Sequence, residues 1–182
     1  DAVRDWRQWL SSERRTAELT TESYGRDVRF FIHFLAEHLG GPAALSDLSN
    51  LKPADFRSYL ARRRGEGLSN SSLARSMSAI RSLFRFLERT DRVHNPAINA
   101  VRTPKRPHGV PKPLSVGQAK SSVEQVSQLQ DEDWLGLRDV AVLTLLYGCG
   151  LRISEALSLN HRDKPKGEVL IITGKGNKQR MV

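Results

Sequence analysis

Residues 70–88 read NSSLARSMSAIRSLFRFLE. Leu73, Met77, Ile80, Phe84 and Leu87 recur at alternating steps of four and three, the spacing that lines one side of an α-helix. At about 100° per residue, Arg81, Arg85 and Arg89 fall together roughly 80° to 160° around from that stripe. Ser71, Arg75, Ser78 and Ser82 lie near the same arc, and no acid interrupts the sequence between Glu66 and Glu88. The expected element is a helix with one side in a core and a basic, hydroxyl-rich side facing outward. Such donors suit phosphates and the base edges of a major groove, although a charged arc also serves as an ordinary solvated face.

Three more helical patterns precede it. Val3, Trp6, Trp9 and Leu10 mark the first. The second starts at a Thr20 or Thr21 cap, shows Tyr24, Val28, Phe31, Ile32, Leu35 and Leu39 on one face, and ends at Gly40-Gly41-Pro42. The third begins at Pro53, a favoured first-turn residue, and runs through Phe56, Tyr59 and Leu60 to Arg62-Arg63-Arg64. Cations in a last turn complement the helix dipole, yet three in a row exceed that need. At least one of Arg62, Arg63 and Arg64 is expected to meet a phosphate, Arg62 or Arg63 first. With a short helix near Pro96, the first half is a mainly α unit of four or five helices.

Residues 101–113 change character. Pro104, Pro107, Pro111 and Pro113 alternate with Arg102, Lys105, Arg106 and Lys112, the composition of an extended basic linker. Lys105 and Arg106 are candidate phosphate contacts there, with a plain solvated tether as the alternative. The chain therefore divides into 1–100, the linker 101–113 and 114–182. The third part opens with a helix from Ser115 to about Gln128, followed by an acidic turn at Asp131-Glu132-Asp133. A helix from Trp134 to Tyr147, apolar nearly all round, reads as buried and central. Ile153 to Leu159 forms a short helix with Arg152 at its start, where backbone N–H groups favour an anion. Val169 to Thr173 and Lys178 to Val182 form a β-hairpin.

Composition points to a polyanion. Lysine and arginine number 29 against 20 acids, for a formal charge of +9, distributed as 16 basic and 12 acidic side chains in residues 1–100 and 13 and 8 in the remainder. No stretch approaches the ~20 apolar residues of a membrane span and no signal-peptide pattern opens the chain. An intracellular, cytoplasmic protein without membrane attachment is expected. Cys149 has no disulfide partner and reads as a small packed residue. His33 and His38 stand five apart, where one helix face wants about four, so no metal is expected. Tyr24, Tyr59 and Tyr147 all fall in apolar-periodic segments and read as packing residues. Gly174-Lys175-Gly176-Asn177-Lys178 is no Walker loop and Gly148-Cys149-Gly150 lacks the third glycine of a dinucleotide fingerprint, so no nucleotide cofactor is implied.

Two short motifs suggest chemistry. GLRISE at residues 150–155 contains Arg152, and Lys175 follows 23 positions later between two glycines. A guanidinium presents a planar fork that fits two phosphate oxygens and does not lose its proton, so it acts as a clamp. A lysine crowded by cations can hand a proton to a departing oxygen, so it acts as a general acid. Glycines flanking Lys175 suit a tight hairpin tip that approaches a ligand closely.

The run GLRISEALSL, the later VLIITGKGNKQR and the upstream SNSSLARSMSAIRSLFRFL together resemble the tyrosine recombinases of the phage-integrase family, and within it the bacterial Xer type that resolves chromosome dimers. The resemblance spans essentially all 182 residues. It implies a helical SAM-like, DNA-clamping core-binding domain over 1–100 and the first part of an α+β catalytic domain over 114–182. It implies that Arg152 clamps the scissile phosphate, that Lys175 protonates the leaving oxygen, and that Lys178 is a second phosphate contact. Glu155 matches the acidic position after the family's arginine and is expected to steady Arg152 or nearby backbone, a plain surface glutamate being the alternative. The partners implied are double-stranded DNA and further recombinase subunits, a tetramer on two duplexes. The family's His-x-x-Arg motif and nucleophilic tyrosine are absent from these 182 residues, so this chain alone is expected to be inactive. Other readings are a DNA-binding module without chemistry, a phage or transposon integrase of the same fold, and an RNA-binding basic protein, the last disfavoured by few stacking aromatics.

Overall fold

The computed structural model describes residues 1–14, 17–105, 112–129, 131–165, 167–174 and 178–182. Arg106, Pro107, Pro111 and Lys175 lie outside them. The chain forms two compact units, Asp1–Gly109 and Val110–Val182, each described by itself below.

The first unit is all helical: α1 (Ala2–Ser12), α2 (Glu18–Leu39), α3 (Leu45–Asn50), α4 (Pro53–Gly65) and α5 (Asn70–Arg89), then a 3₁₀ turn, Pro96–Ala100. Asp1 caps α1 by accepting from the Val3 N–H at 3.0 Å, and Ser69 caps α5 by accepting from Ser72 at 3.2 Å. Helix α2 starts at Glu18, a turn earlier than the threonine cap expected, and no side chain caps it.

Helix α5 is the axis of this unit, packed by α1, α2 and α4. The expected stripe is buried, and so are Ala74, Ser76, Ala79, Leu83 and Phe86, because neighbours cover three sides. Small residues at 74, 76 and 79 let those neighbours approach. Trp6 is fully buried and its indole N–H donates to Ser82 at 3.2 Å, while Trp9 packs on Phe86 with ring centroids 5.5 Å apart. Phe31, Phe34, Phe56, Tyr59 and Phe84 form a mostly edge-to-face cluster between α2, α4 and α5. Phe34 is buried although it lies off the stripe expected for α2, whereas Leu39, expected on that stripe, is 45% exposed. The buried Asn95 amide donates to the Leu48 and Leu51 carbonyls at 2.7 and 2.9 Å, tying the segment after α5 to the end of α3.

The second unit contains α6 (Val116–Val126), a 3₁₀ turn Ser127–Leu129, α7 (Asp133–Gly148), α8 (Ile153–Leu157), a 3₁₀ turn His161–Asp163, and a hairpin of β1 (Ile171–Thr173) and β2 (Gln179–Met181). Ser115 and Gln118 cap α6 reciprocally, the hydroxyl accepting at 3.2 Å and the amide oxygen at 2.9 Å. The strands pair antiparallel, with Ile172 opposite Arg180. Leu151, Ala156, Leu170 and Ile172 form the core, flanked by Val142, Leu145 and Leu146 of α7.

Three sequence expectations do not hold. Helix α7 is not a buried central helix: only Gly136 is buried, while Leu137 is 69% and Trp134 59% exposed. A helix apolar all round needs cover all round, and the described part of this unit covers one side. Tyr147 at its end is likewise exposed rather than packed, and Cys149 is exposed.

Candidate nucleic-acid interface and phosphate clamp

In the first unit the expected basic contacts differ in how far other groups already engage them. Arg85 is exposed on the outer arc of α5 and has no partner among the described residues. Lys105 is exposed in the same condition. Arg64 donates only to the neutral Asn70 side chain, at 3.3 Å, so its charge stays uncompensated. Arg62, by contrast, is ion-paired with both Glu37 and Glu66, and Arg63 pairs with Glu66 while lying 4.1 Å over the Phe30 ring. Hydrogen bonding to Glu37 strengthens the hold of Arg62 on its proton, and the same bond lowers the Glu37 carboxyl below its ordinary value. Arg81 donates to the Val101 carbonyl and the Thr103 hydroxyl, both at 2.5 Å, and so pins the segment that follows the helical unit.

Arg75 has a partner that the sequence reading did not assign. Its Nε donates to the Asp27 carboxylate at 2.8 Å and its Nη2 at 3.5 Å; Asp27, on α2, is only 2% exposed. Asp27 stands four residues before Phe31 and seven before Phe34, both buried, so an acid on an apolar face was the signal available in the sequence. That hydrogen bond raises the Arg75 pKa further. Beside it, the fully buried Tyr59 hydroxyl shares a 2.8 Å hydrogen bond with Ser76, and burial pushes the Tyr59 phenol up.

A groove of 1210 Å³ between α1 and α2 is lined by Val3, Ile32 and Ala36, but its rim mixes Arg4, Arg7 and Arg29 with Asp1, Glu18 and Glu22. It is not a uniformly cationic surface. Among the described residues, no three metal-ligating side chains gather, and no helix is long and apolar enough to cross a membrane.

The second unit builds its site from one turn and one hairpin. Helix α7 ends at Gly148, and Gly150 takes a φ of +62°, a left-handed turn that sends Leu151 into the core and leaves Arg152 as the N-cap of α8. Glu155 is then placed to reach back: its carboxylate accepts the Arg152 backbone N–H at 2.9 Å and the Arg152 guanidinium at 2.8 Å. Arg180 arrives from β2. Opposite Ile172, which is 2% exposed, it shares the inward face of the hairpin and donates to both Glu155 oxygens, at 3.1 and 2.7 Å. The Arg180 hydrogen bonds, then the Arg152 backbone N–H, hold the Glu155 carboxyl at about 2 against the upward push of burial.

Glu155 is therefore no surface glutamate. It is 5% exposed and saturated by donors, whereas the Arg152 side chain remains 72% exposed, with Nη1 held by Glu155 and with Nε and Nη2 unpartnered among the described residues. The hairpin closes through a 2.7 Å bond from the Gly174 N–H to the Lys178 carbonyl. A Cβ on Gly174 would stand 3.1 Å from a Glu155 oxygen, so a glycine lets the hairpin end approach the Arg152–Glu155 pair. Lys178 is exposed beside it, and Lys175 lies outside the described residues. Arg180 was missed as a brace because only strand register reveals which face it takes.

Comparison with known proteins identifies relatives for both units. Residues 3–91 match the profile of the phage integrase N-terminal SAM-like domain, and residues 119–182 that of the phage integrase family. The whole chain is 48% identical to tyrosine recombinase XerC of Mesorhizobium japonicum, spanning 59% of that protein, and 97% of it is 47% identical to tyrosine recombinase XerC of Agrobacterium fabrum, spanning 56%. The chain thus covers less than two thirds of the length of these relatives. In fold it matches XerH site-specific recombinase, solved in a post-cleavage complex with a palindromic difH substrate, at a TM-score of 0.67 and 19% identity over 99% of this chain and 52% of that one. The chain belongs to the phage integrase family of tyrosine recombinases.

Proposed function

We propose that this chain is the DNA-gripping domain, linker and opening catalytic segment, residues 1–100, 101–113 and 114–182, of a Xer-type site-specific recombinase that acts in chromosome-dimer resolution. The observation that supports this most is the brace on Arg152. An exposed guanidinium with its backbone N–H and one terminal nitrogen fixed by a buried, fully hydrogen-bonded carboxylate, and its remaining donors unpartnered among the described residues, is pre-organised for an oxyanion. An arginine held that way loses less freedom on meeting a phosphate than a free surface arginine.

In the reaction, Arg152 donates to the non-bridging oxygens of the scissile phosphate and offsets charge that grows as phosphorus becomes five-coordinate. A tyrosine and a second arginine would come from the part of the enzyme that the longer relatives possess and this chain does not span. The tyrosine oxygen attacks phosphorus, a 3′-phosphotyrosyl bond forms, and the 5′-oxygen departs. Lys175 is the residue after Gly174 in the sequence and is assigned to protonate that oxygen. Rejoining reverses the exchange with a different 5′-hydroxyl. One phosphoester replaces another at each step, so the chemistry needs no nucleotide cofactor.

Arg64, Arg85, Lys105, Arg106 and Lys178 hold the duplex through its backbone, and Arg75 faces it from the outer arc of α5. Arg62, Arg63 and Arg81 contribute by ordering that surface. The working assembly is a tetramer on two duplexes in the cytoplasm, at the nucleoid. Titrating the 182-residue chain with labelled duplex DNA over a range of salt tests the foundation. Binding that weakens linearly in log–log form as salt rises is expected. Affinity independent of salt, or no binding, would overturn the reading.

A further inference from the structure

We propose that Asp27 and Arg75 form a pre-organised base-reading pair: the buried carboxylate holds the guanidinium side-on and leaves its end-on fork for two adjacent acceptors on a guanine edge in the major groove. This rests on the reading of the first unit as a DNA-binding body and goes beyond it, from holding the backbone to reading sequence.

The geometry assigns each donor. A guanidinium has five N–H groups in one plane. Asp27 takes the Nε–H at 2.8 Å and one Nη2–H at 3.5 Å. The two hydrogens of Nη1 and the second of Nη2 have no partner among the described residues, and the side chain is 40% exposed. One hydrogen from each terminal nitrogen makes the parallel pair that matches O6 and N7 of guanine. Arg75 sits in the N-terminal half of α5, the part of a recognition helix that meets base edges first, between Ser71 and Ser78, whose short side chains leave the approach open.

Stability alone is a poor reason for this pair. Burying a carboxylate is costly, and a well-packed apolar pair would join α2 to α5 at least as well. Asp27 is the one buried carboxylate among the described residues of this unit, whereas the pairs of Arg62, Arg89 and Arg92 use exposed or half-exposed acids and lie in the ordinary surface class. The pairing also neutralises Arg75. Its attraction to phosphate is weakened while its directed donors remain, which separates it from Arg85, a bare charge on the same arc.

Selection from a randomised duplex library, followed by salt titration, tests this in the 182-residue chain with Arg75→Ala, Arg75→Lys, Asp27→Asn and Arg85→Ala. The wild-type chain is expected to prefer guanine at one position of its bound site. Arg75→Ala and Arg75→Lys should erase that preference, a loss of roughly 5- to 150-fold in discrimination, with little change in salt slope. Arg85→Ala should lower the slope by about 0.9 and leave the preference intact. Asp27→Asn, which keeps the shape but frees the charge on Arg75, should weaken the preference and steepen the slope. Melting curves establish that each variant folds, and Arg75→Lys, which keeps a cation opposite Asp27, decides the question if Arg75→Ala does not. A preference unchanged in the Arg75 variants, or a wild-type chain that binds duplex without any preference, overturns the proposal and leaves backbone binding standing. No duplex binding at all overturns the underlying reading as well.

Discussion

Removing Arg85 should change the salt dependence of DNA binding far more than removing Arg62, although both substitutions delete one positive charge. Arg85 is exposed on α5 without a partner, whereas Arg62 is shared between Glu37 and Glu66. Each phosphate neutralised by a free cation contributes about 0.9 to the slope of log affinity against log salt. Arg85→Ala should therefore lower the slope by about 0.9, which over a fourfold rise in salt is about 3.5-fold in affinity. Arg62→Ala should shift the slope by only a small part of that, because its guanidinium already holds two carboxylates. Arg64, whose partner is the uncharged Asn70, should behave like Arg85. Fluorescence anisotropy with one labelled duplex, measured for the three variants at matched salt concentrations, gives the slopes. Equal slopes for Arg62→Ala and Arg85→Ala, or an Arg85→Ala slope identical to wild type, would refute the division of this surface into free and engaged cations.

Further outcomes follow from the packing and the brace. Phe31 is fully buried among Phe56, Tyr59 and Phe84, so Phe31→Ala should cost about 3–5 kcal/mol and lower the denaturation midpoint of the first unit, seen by circular dichroism; a loss below 1 kcal/mol would contradict the core described. Gly150→Ala should destabilise the second unit by about 1–2 kcal/mol through its positive φ alone, since a Cβ there meets no neighbour; an unchanged melting curve would show that the turn is not required. The Glu155 carboxyl falls from an ordinary 4.5 to about 2 on folding, so the tie between α8 and the hairpin is complete above pH 4.5 and is lost as pH falls toward 2. Protection of the Leu170 and Val182 amides, taken relative to intrinsic exchange at each pH, should fall across that window in the wild type and not in Glu155→Gln; identical protection profiles would remove Glu155 as the brace.

The legible parts of the sequence were those with a repeated local signal. The stripe from Leu73 to Leu87 located α5 and Pro53 located the start of α4, while the helix expected from Ser115 to about Gln128 is α6 with the 3₁₀ turn that follows it. Helix α3 escaped because its six residues, rich in Ser, Asp and Asn, read as a loop until Asn95 ties its end down. Helix α7 has the composition of a buried helix, and composition reports what a surface prefers without saying what covers it. The brace on Arg152 was half visible: the three-residue spacing to Glu155 is local, while Arg180 reaches it from 25 residues away through hairpin register. Asp27 and Arg75, 48 residues apart, lie on different helices, and no periodicity links them.

Arg152, steadied by Glu155, is the group proposed to grip the phosphate that is cut. Covalent capture on nicked suicide DNA by the complete enzyme, comparing wild type with Arg152→Ala, tests that role most directly. The variant is expected to bind the duplex still and to form no phosphotyrosyl complex, a loss of at least about 100-fold in capture rate. Undiminished capture by Arg152→Ala would contradict that role.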